Sequence, residues 1–239
     1  MSELQVLAIF AHRDDAELTC AGTLIKLGRQ GYRTGILDLT EGEMGTLGSP
    51  EIRGREAAKA GAVIGLAVRE NLGLPDAGIV NTPETRRMLT RVLRTHRPAI
   101  VITHAQQGRH PDHRATAELV RDACFISGLA KVEPDLPKHR PRKILHCLSY
   151  REDYTRPTFV VDISAEFDQK LEAIRCYGSQ FDTVTQAGEV YPNGEPLYDI
   201  VRHQAAHYGS LIRTRYGEPF FTTETMRVDD ITTLEVTTF

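Results

Sequence analysis

Cysteine is scarce in this 239-residue chain, and its four copies, Cys20, Cys124, Cys147 and Cys176, never form a Cys-x-x-Cys pair. That excludes a zinc knuckle and a thioredoxin-like redox motif, and it reads as small core residues in a reducing cytoplasm. No run approaches the roughly 18 consecutive apolar residues of a membrane helix. The opening Leu4-Gln5-Val6-Leu7 is not preceded by a basic segment and an apolar one, so the expectation is a cytoplasmic protein, neither exported nor membrane-spanning. An excess of one charge is also missing. With 29 basic against 32 acidic side chains the net charge is −3, which supplies no global field for a nucleic acid.

Several nucleotide and hydrolase signatures are absent too. Gly42, Gly45 and Gly48 recur every three residues, but no Gly-x-Gly-x-x-Gly and no Gly-Lys-Ser/Thr ending accompanies them. They read as a mobile loop near a substrate rather than a phosphate cradle. Without a Gly-x-Ser-x-Gly sequence a serine hydrolase is unsupported.

What is present is a chain 41% hydrophobic and 26% charged, long enough to bury a core without disulfides. Apolar runs of strand length alternate with segments of helical period, the pattern of βαβ units and a mostly parallel sheet. Strands are predicted at 4–12, 33–39, 68–74, 99–103, 144–150 and 159–163. Helices are predicted at about 15–30, 51–64, 82–97, 113–129, 165–177 and 197–213. Thr82-Pro83-Glu84 is a helix start with Thr as N-cap and Pro at the first helical position. Arg86, Arg87, Arg91, Arg94 and Arg97 on that helix read as a solvated outer face. The expectation is an α/β, Rossmann-like open sheet with helices on both faces. It forms a single domain over 1–239, with a core of about 4–163 and a C-terminal helical elaboration of about 164–239.

Two polar clusters stand out against this frame. Ala11-His12-Arg13-Asp14-Asp15-Ala16-Glu17 directly follows the first strand, and His110-Pro111-Asp112-His113 follows the fourth and leads into a helix. Adjacent aspartates after a strand are often only helix caps, and histidines beside proline are often solvated. In the usual doubly wound order 3-2-1-4-5, however, strands one and four are neighbours, and both clusters open into the crevice at the topological switch point.

Two imidazoles and a carboxylate make a three-ligand metal site with an open position for water, the catalytic arrangement of zinc. His12 and Asp15, three apart across a strand-to-helix turn, can face one ion, and His113 can close the set. Asp14 then remains beside a metal-bound water as general base. His110 faces the oxygen on which charge builds, and Asp112 fixes its tautomer and stabilises its imidazolium form.

These residues resemble the PIG-L/LmbE family of zinc-dependent N-acetylglucosaminyl deacetylases. Arg53-Gly54-Arg55-Glu56 matches the family's Arg-x-x-Glu, and Asn71-Leu72-Gly73-Leu74-Pro75-Asp76 matches the stretch whose aspartate approaches the sugar. Asp162-Ile163-Ser164, Lys170, Tyr177-Gly178-Ser179-Gln180-Phe181, Tyr208-Gly209 and Gly217-Glu218-Pro219-Phe220-Phe221 are similar to the bacillithiol-biosynthesis subgroup. That subgroup deacetylates the malate glycoside of N-acetylglucosamine. The resemblance implies one zinc ion on His12, Asp15 and His113, with Asp14, His110 and Asp112 catalytic. It also implies Arg53, Asp76, Arg109, Arg140 and Asp162 around a small sugar conjugate, and a homo-oligomer, a hexamer.

Two departures matter. The family usually has proline where this chain has Arg13, so the turn loses a rigid residue and gains a cation. Gly108 stands where mycothiol-pathway relatives carry tyrosine, which argues against an inositol glycoside. A cationic cup of Arg13, Arg53, Arg109 and Arg140 would suit an anionic conjugate. The rival readings are deacetylation of another N-acetylglucosamine conjugate, a non-catalytic metal or sugar binder, and a nucleotide-binding module. A site of two histidines and one aspartate also accepts iron or cobalt.

Overall fold

The structure, a computed structural model, describes residues 3–148, 155–182 and 197–236. Its strands are β1 (Val6–Phe10), β2 (Thr34–Thr40), β3 (Val68–Leu74), β4 (Ile100–His104), β5 (Lys143–Cys147), β6 (Phe159–Asp162) and β7 (Gly217–Phe221). Among the described residues they make one seven-stranded sheet in the order β3-β2-β1-β4-β5-β7-β6. The first five strands pair in parallel, as the doubly wound reading requires, with Val6 level with both Thr34 and Ile100. Every residue of β1 and β2 is buried, which explains why β1 is wholly apolar instead of alternating, while β2 carries Thr34, Asp38 and Thr40 among its buried residues.

The helices are α1 (Asp15–Thr19), α2 (Ala21–Arg29), α3 (Pro50–Ile64), α4 (Pro83–His96), α5 (Pro111–Ile126), α6 (Phe167–Arg175), α7 (Gly178–Phe181) and α8 (Leu197–Leu211). One face of the sheet buries Ala16, Leu24, Ala57, Ala60 and Tyr177 against Ala8 and Phe10. The other buries Leu89, Leu93, Leu119 and Val120 against Leu7 and Ile9. The alternation of β1 side chains between these two clusters is the pleat of a strand covered on both sides. Thr82 caps α4 in a reciprocal pair with Thr85, with Pro83 in the first turn. Of the four cysteines, all free, Cys20, Cys124 and Cys147 are buried and Cys176 is partly exposed.

Four expectations need correction. The helix predicted at 15–30 breaks at Cys20. The Thr19 hydroxyl donates to the Asp15 carbonyl at 2.7 Å, and the buried Glu218 carboxylate accepts the N–H groups of Gly22 and Thr23 at 2.9 and 2.7 Å. An acceptor 195 residues away from Thr23 therefore starts a second helix, which no local pattern reveals.

The segment after 164 is not purely helical, because β7 enters the sheet between β5 and β6, antiparallel to both. Pro219 lacks an N–H and Glu218 is charged, so the stretch has no strand signature; Glu218 is held by Lys170 at 2.6 Å.

Arg94 is buried, not solvated. Its guanidinium donates to the carbonyls of Ser127, Leu129, Glu133 and Leu136 at 2.5–3.0 Å. Arg91 meanwhile pairs with Glu133 and Asp135, so one side of the arginine series fastens the connection between α5 and β5. The strand predicted at 144–150 ends at Cys147, and Tyr150 lies outside the described residues.

Candidate active site

Where β1 and β4 end, a crevice of about 330 Å³ is lined by His12, Asp14, Asp15, Arg53, Asp76, Arg109, His110 and His113, with Met44 and Gly45 of the glycine-rich loop at its edge. Both polar clusters do meet there. The turn after β1 supplies His12 to Asp15, and Pro111 starts α5 so that His113 lies in its first turn.

Asp15 is the hinge of the cluster. Its Oδ2 lies 3.1 Å from His12 Nδ1, and its Oδ1 lies 3.2 Å from His113 Nε2. Ligand atoms of His12, Asp15 and His113 fall within 4.8 Å of one another, and so do those of His12, His110 and Asp112. Asp76 and Asp112 approach His12 Nε2 at 3.2 and 3.5 Å. Burial disfavours an imidazolium, yet Asp15, Asp112 and Asp76 together push His12 up to about 12. The bond to His12 in turn brings Asp76 down to about 2. Three carboxylates around one buried imidazole call for a cation, and two imidazoles with a carboxylate are a donor set that a zinc-like divalent ion fits.

Asp14 precedes α1 but its side chain caps nothing. Instead its carboxylate faces Arg53 Nη2 at 3.5 Å. Arg53, buried near the head of α3, also donates to the Gly42 carbonyl at 3.2 Å. Gly42 has φ +74°, and a Cβ there would collide with the Arg53 guanidinium. The left-handed backbone favours glycine here, and any side chain would have to displace the Arg53 guanidinium.

His110 and Asp112 are placed differently from the sequence expectation. His110 is the N-cap of α5, its Nδ1 accepting the Asp112 N–H at 3.2 Å. That bond puts the ring proton on Nε2. Burial, aided by His12 and His113, lowers its pKa, so His110 is a neutral donor rather than an imidazolium. The Asp112 carboxylate does not touch it. It accepts the N–H groups of Ala77 and Ile79 at 2.8 and 3.3 Å and turns to His12. The tautomer is set by the Asp112 backbone, because a cap geometry directs the side chain away.

His104 belongs to neither sequence motif. It ends β4 fully buried, stacked on His113 at 3.8 Å, with Nε2 3.1 Å from the Ala11 nitrogen and 3.2 Å from Asp15 Oδ2. Burial drives it down to about 3, so it is a neutral prop behind Asp15 and His113. Its only signal in the sequence is a lone histidine closing an apolar strand.

Beneath the turn, Arg69 of β3 donates to Glu17, to both oxygens of Asp38, to the Tyr177 hydroxyl, and to the carbonyls of Ala57 and Arg13. Burial raises both Asp38 and Glu17, Glu17 to about 7.

Three arginine or aspartate placements fail. Arg140 sits at the amino end of β5, on the Phe125 carbonyl and ring. Asp162 accepts the N–H and hydroxyl of Ser164 and shapes the entry to α6. Arg13 turns under the loop, donating to the carbonyls of Pro50 at 2.5 Å and Glu41 at 3.4 Å. Of the supposed cationic cup, Arg53 and Arg109 line the crevice. Charge pattern alone cannot tell which way a long side chain lies.

The family model of GlcNAc-PI de-N-acetylase, PIG-L, matches residues 7–124. Diacetylchitobiose deacetylase of Thermococcus kodakarensis is 30% identical over 227 residues, 90% of this chain and 81% of that one. A Bacillus anthracis protein named "Probable N-acetyl-alpha-D-glucosaminyl L-malate deacetylase 2" is 28% identical, covering 81% of this chain and 89% of its own. Among solved structures, the conserved protein TT1542 from Thermus thermophilus superposes with a TM-score of 0.84 at 36% identity, over 95% of this chain and 98% of that one. With its two motifs converging on one crevice, the chain belongs to the PIG-L, or GlcNAc-PI de-N-acetylase, family.

Proposed function

We propose that this chain, as one deacetylase domain, hydrolyses the acetamide of an N-acetylglucosamine-type substrate with the help of a divalent metal, zinc by preference. The observation that carries this reading is Asp14, an uncapped carboxylate on the wall of the crevice beside the His12, Asp15 and His113 set. A bound divalent cation supplies Lewis-acid polarisation and acidifies water.

The protein's own groups do the rest. His12, Asp15 and His113 hold the ion. Asp14, oriented by Arg53, takes a proton from the water whose oxygen attacks the acetyl carbon. The Nε2–H of His110 donates to the carbonyl oxygen as it gains charge. When the C–N bond breaks, Asp14 returns the proton to the departing nitrogen, leaving acetate and a free amine.

Within this class our specific proposal is N-acetylglucosaminyl malate, the bacillithiol precursor, handled in the cytoplasm. It is supported by the Bacillus relative and by Arg53 and Arg109 on the crevice wall. Diacetylchitobiose is the second reading, favoured by the Thermococcus relative.

Acetate release from the malate glycoside, diacetylchitobiose and the inositol glycoside, with zinc and with a chelator, decides between them. The expected result is zinc-dependent release that is fastest from the malate glycoside. Faster release from diacetylchitobiose would overturn the malate assignment, and stoichiometric zinc with no acetate from any of the three would overturn the hydrolase.

A further inference from the structure

The glycine-rich loop between β2 and α3 brings Met44 and Gly45 to the edge of the crevice. Glu43 to Thr46 are exposed, Met44 at 69%, so hydrogen bonds rather than burial set the loop's course. On its near side the Met44 N–H donates to Asp76 Oδ2 at 3.0 Å, and Glu43 accepts the Asp76 N–H at 2.7 Å. On its far side the contact comes from α7, where Gln180 Nε2 donates to the Leu47 carbonyl at 2.7 Å.

A bond near the surface contributes little unless its donor is already held in place, and this donor is. The second amide hydrogen of Gln180 goes to Ser179 Oγ at 3.1 Å. Ser179 in turn donates from Oγ and from its N–H to the two carboxylate oxygens of Glu56 at 2.7 and 2.8 Å, and Glu56 is buried on α3. Just before α7, Tyr177 is fully buried, its hydroxyl donating to Glu17 and accepting from Arg69. The short helix is thus pinned to the network beneath the His12 turn. Gly48 lets the loop come this close. Its φ is +79°, and a Cβ there would lie 2.9 Å from Ser179 Oγ and 3.1 Å from Gln180 Nε2.

We propose that Gln180 is a positioning residue: by fixing Leu47 it sets where Met44 and Gly45 stand, and with them the fit of the part of the substrate beyond the acetamide. This rests on the deacetylase reading, in which the acetamide lies among Asp14, His110 and the metal-holding set, and the rest of the conjugate reaches the rim. Asp14 and His110 then act on the reacting bond, while α7 shapes the grip on what surrounds it. Loss of such a grip raises KM and leaves kcat in place.

Gln180→Met keeps the length of the side chain and removes both donors without adding charge, and Gly48→Ala disturbs the same contact from the loop. Both variants of the full, metal-loaded chain are compared with the parent by acetate-release kinetics and by hydrogen exchange at the Met44 and Gly45 amides, which Asp76 and the Gly42 carbonyl accept. Gln180→Met is expected to speed exchange at both amides with the thermal melt and metal stoichiometry unchanged. Its KM is expected to rise about 3–10-fold, the worth of one hydrogen bond, with kcat retained. The double variant is expected to raise KM no further than the larger single one, since both act on one contact. Unchanged exchange, a fall in kcat matching the rise in KM, or additive effects in the double variant would each overturn the proposal. A parent chain that releases no acetate would strike the deacetylase reading instead, and the exchange measurement would still decide whether Gln180 holds the loop.

Discussion

Arg69 donates from β3 to the carbonyl oxygen of Arg13 at 2.9 Å. The peptide between the proposed ligand His12 and the proposed base Asp14 is therefore steered from two strands away. The same guanidinium is the principal cation balancing the buried Glu17 and Asp38. Arg69→Met is expected to destabilise the fold by about 3–5 kcal/mol, the cost of stranding buried charge. Arg69→Lys is expected to recover part of the stability but little of the turnover, because one ammonium cannot reach six acceptors. Urea unfolding beside acetate-release kinetics checks both; equal recovery of both would argue against a role in placing Asp14.

Glu17 gives that network a pH signature. Burial lifts its folded pKa to about 7 from an ordinary value of 4.5. A carboxyl raised in the folded state contributes stability that is fully present below about pH 4.5 and is lost as pH rises through about 7. Glu17→Gln is expected to flatten that decline relative to the parent chain. Chemical denaturation at a series of pH values reads the difference; parallel curves would show that Glu17 is ionised in the folded protein at all these pH values.

Asp14→Asn is expected to lower kcat by about 10²–10⁴ with metal stoichiometry retained, the loss characteristic of a general base. His110→Ala removes the neutral Nε2–H and is expected to cost about 10²–10³ in kcat with little change in KM. Near-parental turnover in metal-loaded Asp14→Asn protein would exclude Asp14 as the base.

Arg13 anchors the turn after β1. Its guanidinium ties the turn to Glu41 and to Pro50 at the start of α3, bracketing the loop that brings Met44 and Gly45 to the crevice. Arg13→Pro is expected to keep the metal but release that loop, seen as faster proteolysis between 41 and 50 and a higher KM. Unchanged cleavage would show that the loop is held from elsewhere.

The legible parts of this molecule are those whose physics is local. Strand, turn and helix follow one another between 4 and 17, which places His12, Asp14 and Asp15 at a sheet edge. Strand order then brings His113 to them. Long-range acceptors are not legible. Nothing near Cys20 announces that Glu218 will cap α2, and nothing in Gly217-Glu218-Pro219 resembles a strand until β5 and β6 are there to pair with it. His104 escapes notice because a histidine at the end of a buried strand looks like any satisfied core histidine. Arg94 and Arg140 defeat the charge pattern because helical and loop position fixes where a Cα lies, while a long guanidinium chooses its carbonyls by reach.

The strand order β5-β7-β6 has a consequence for how the chain is made. Residues 159–162 are synthesised long before 217–221, yet they have no place in the sheet until β7 arrives between them and β5. During elongation the open edge of β5 and the Phe159 strand wait together, the state most exposed to mispairing with a neighbouring nascent chain. Completion is set by a late, non-local closure, of the kind that slows folding. The Glu218 clasp on α2 and Lys170 comes with the same strand, so a strand made late in the chain caps a helix of the first βα unit.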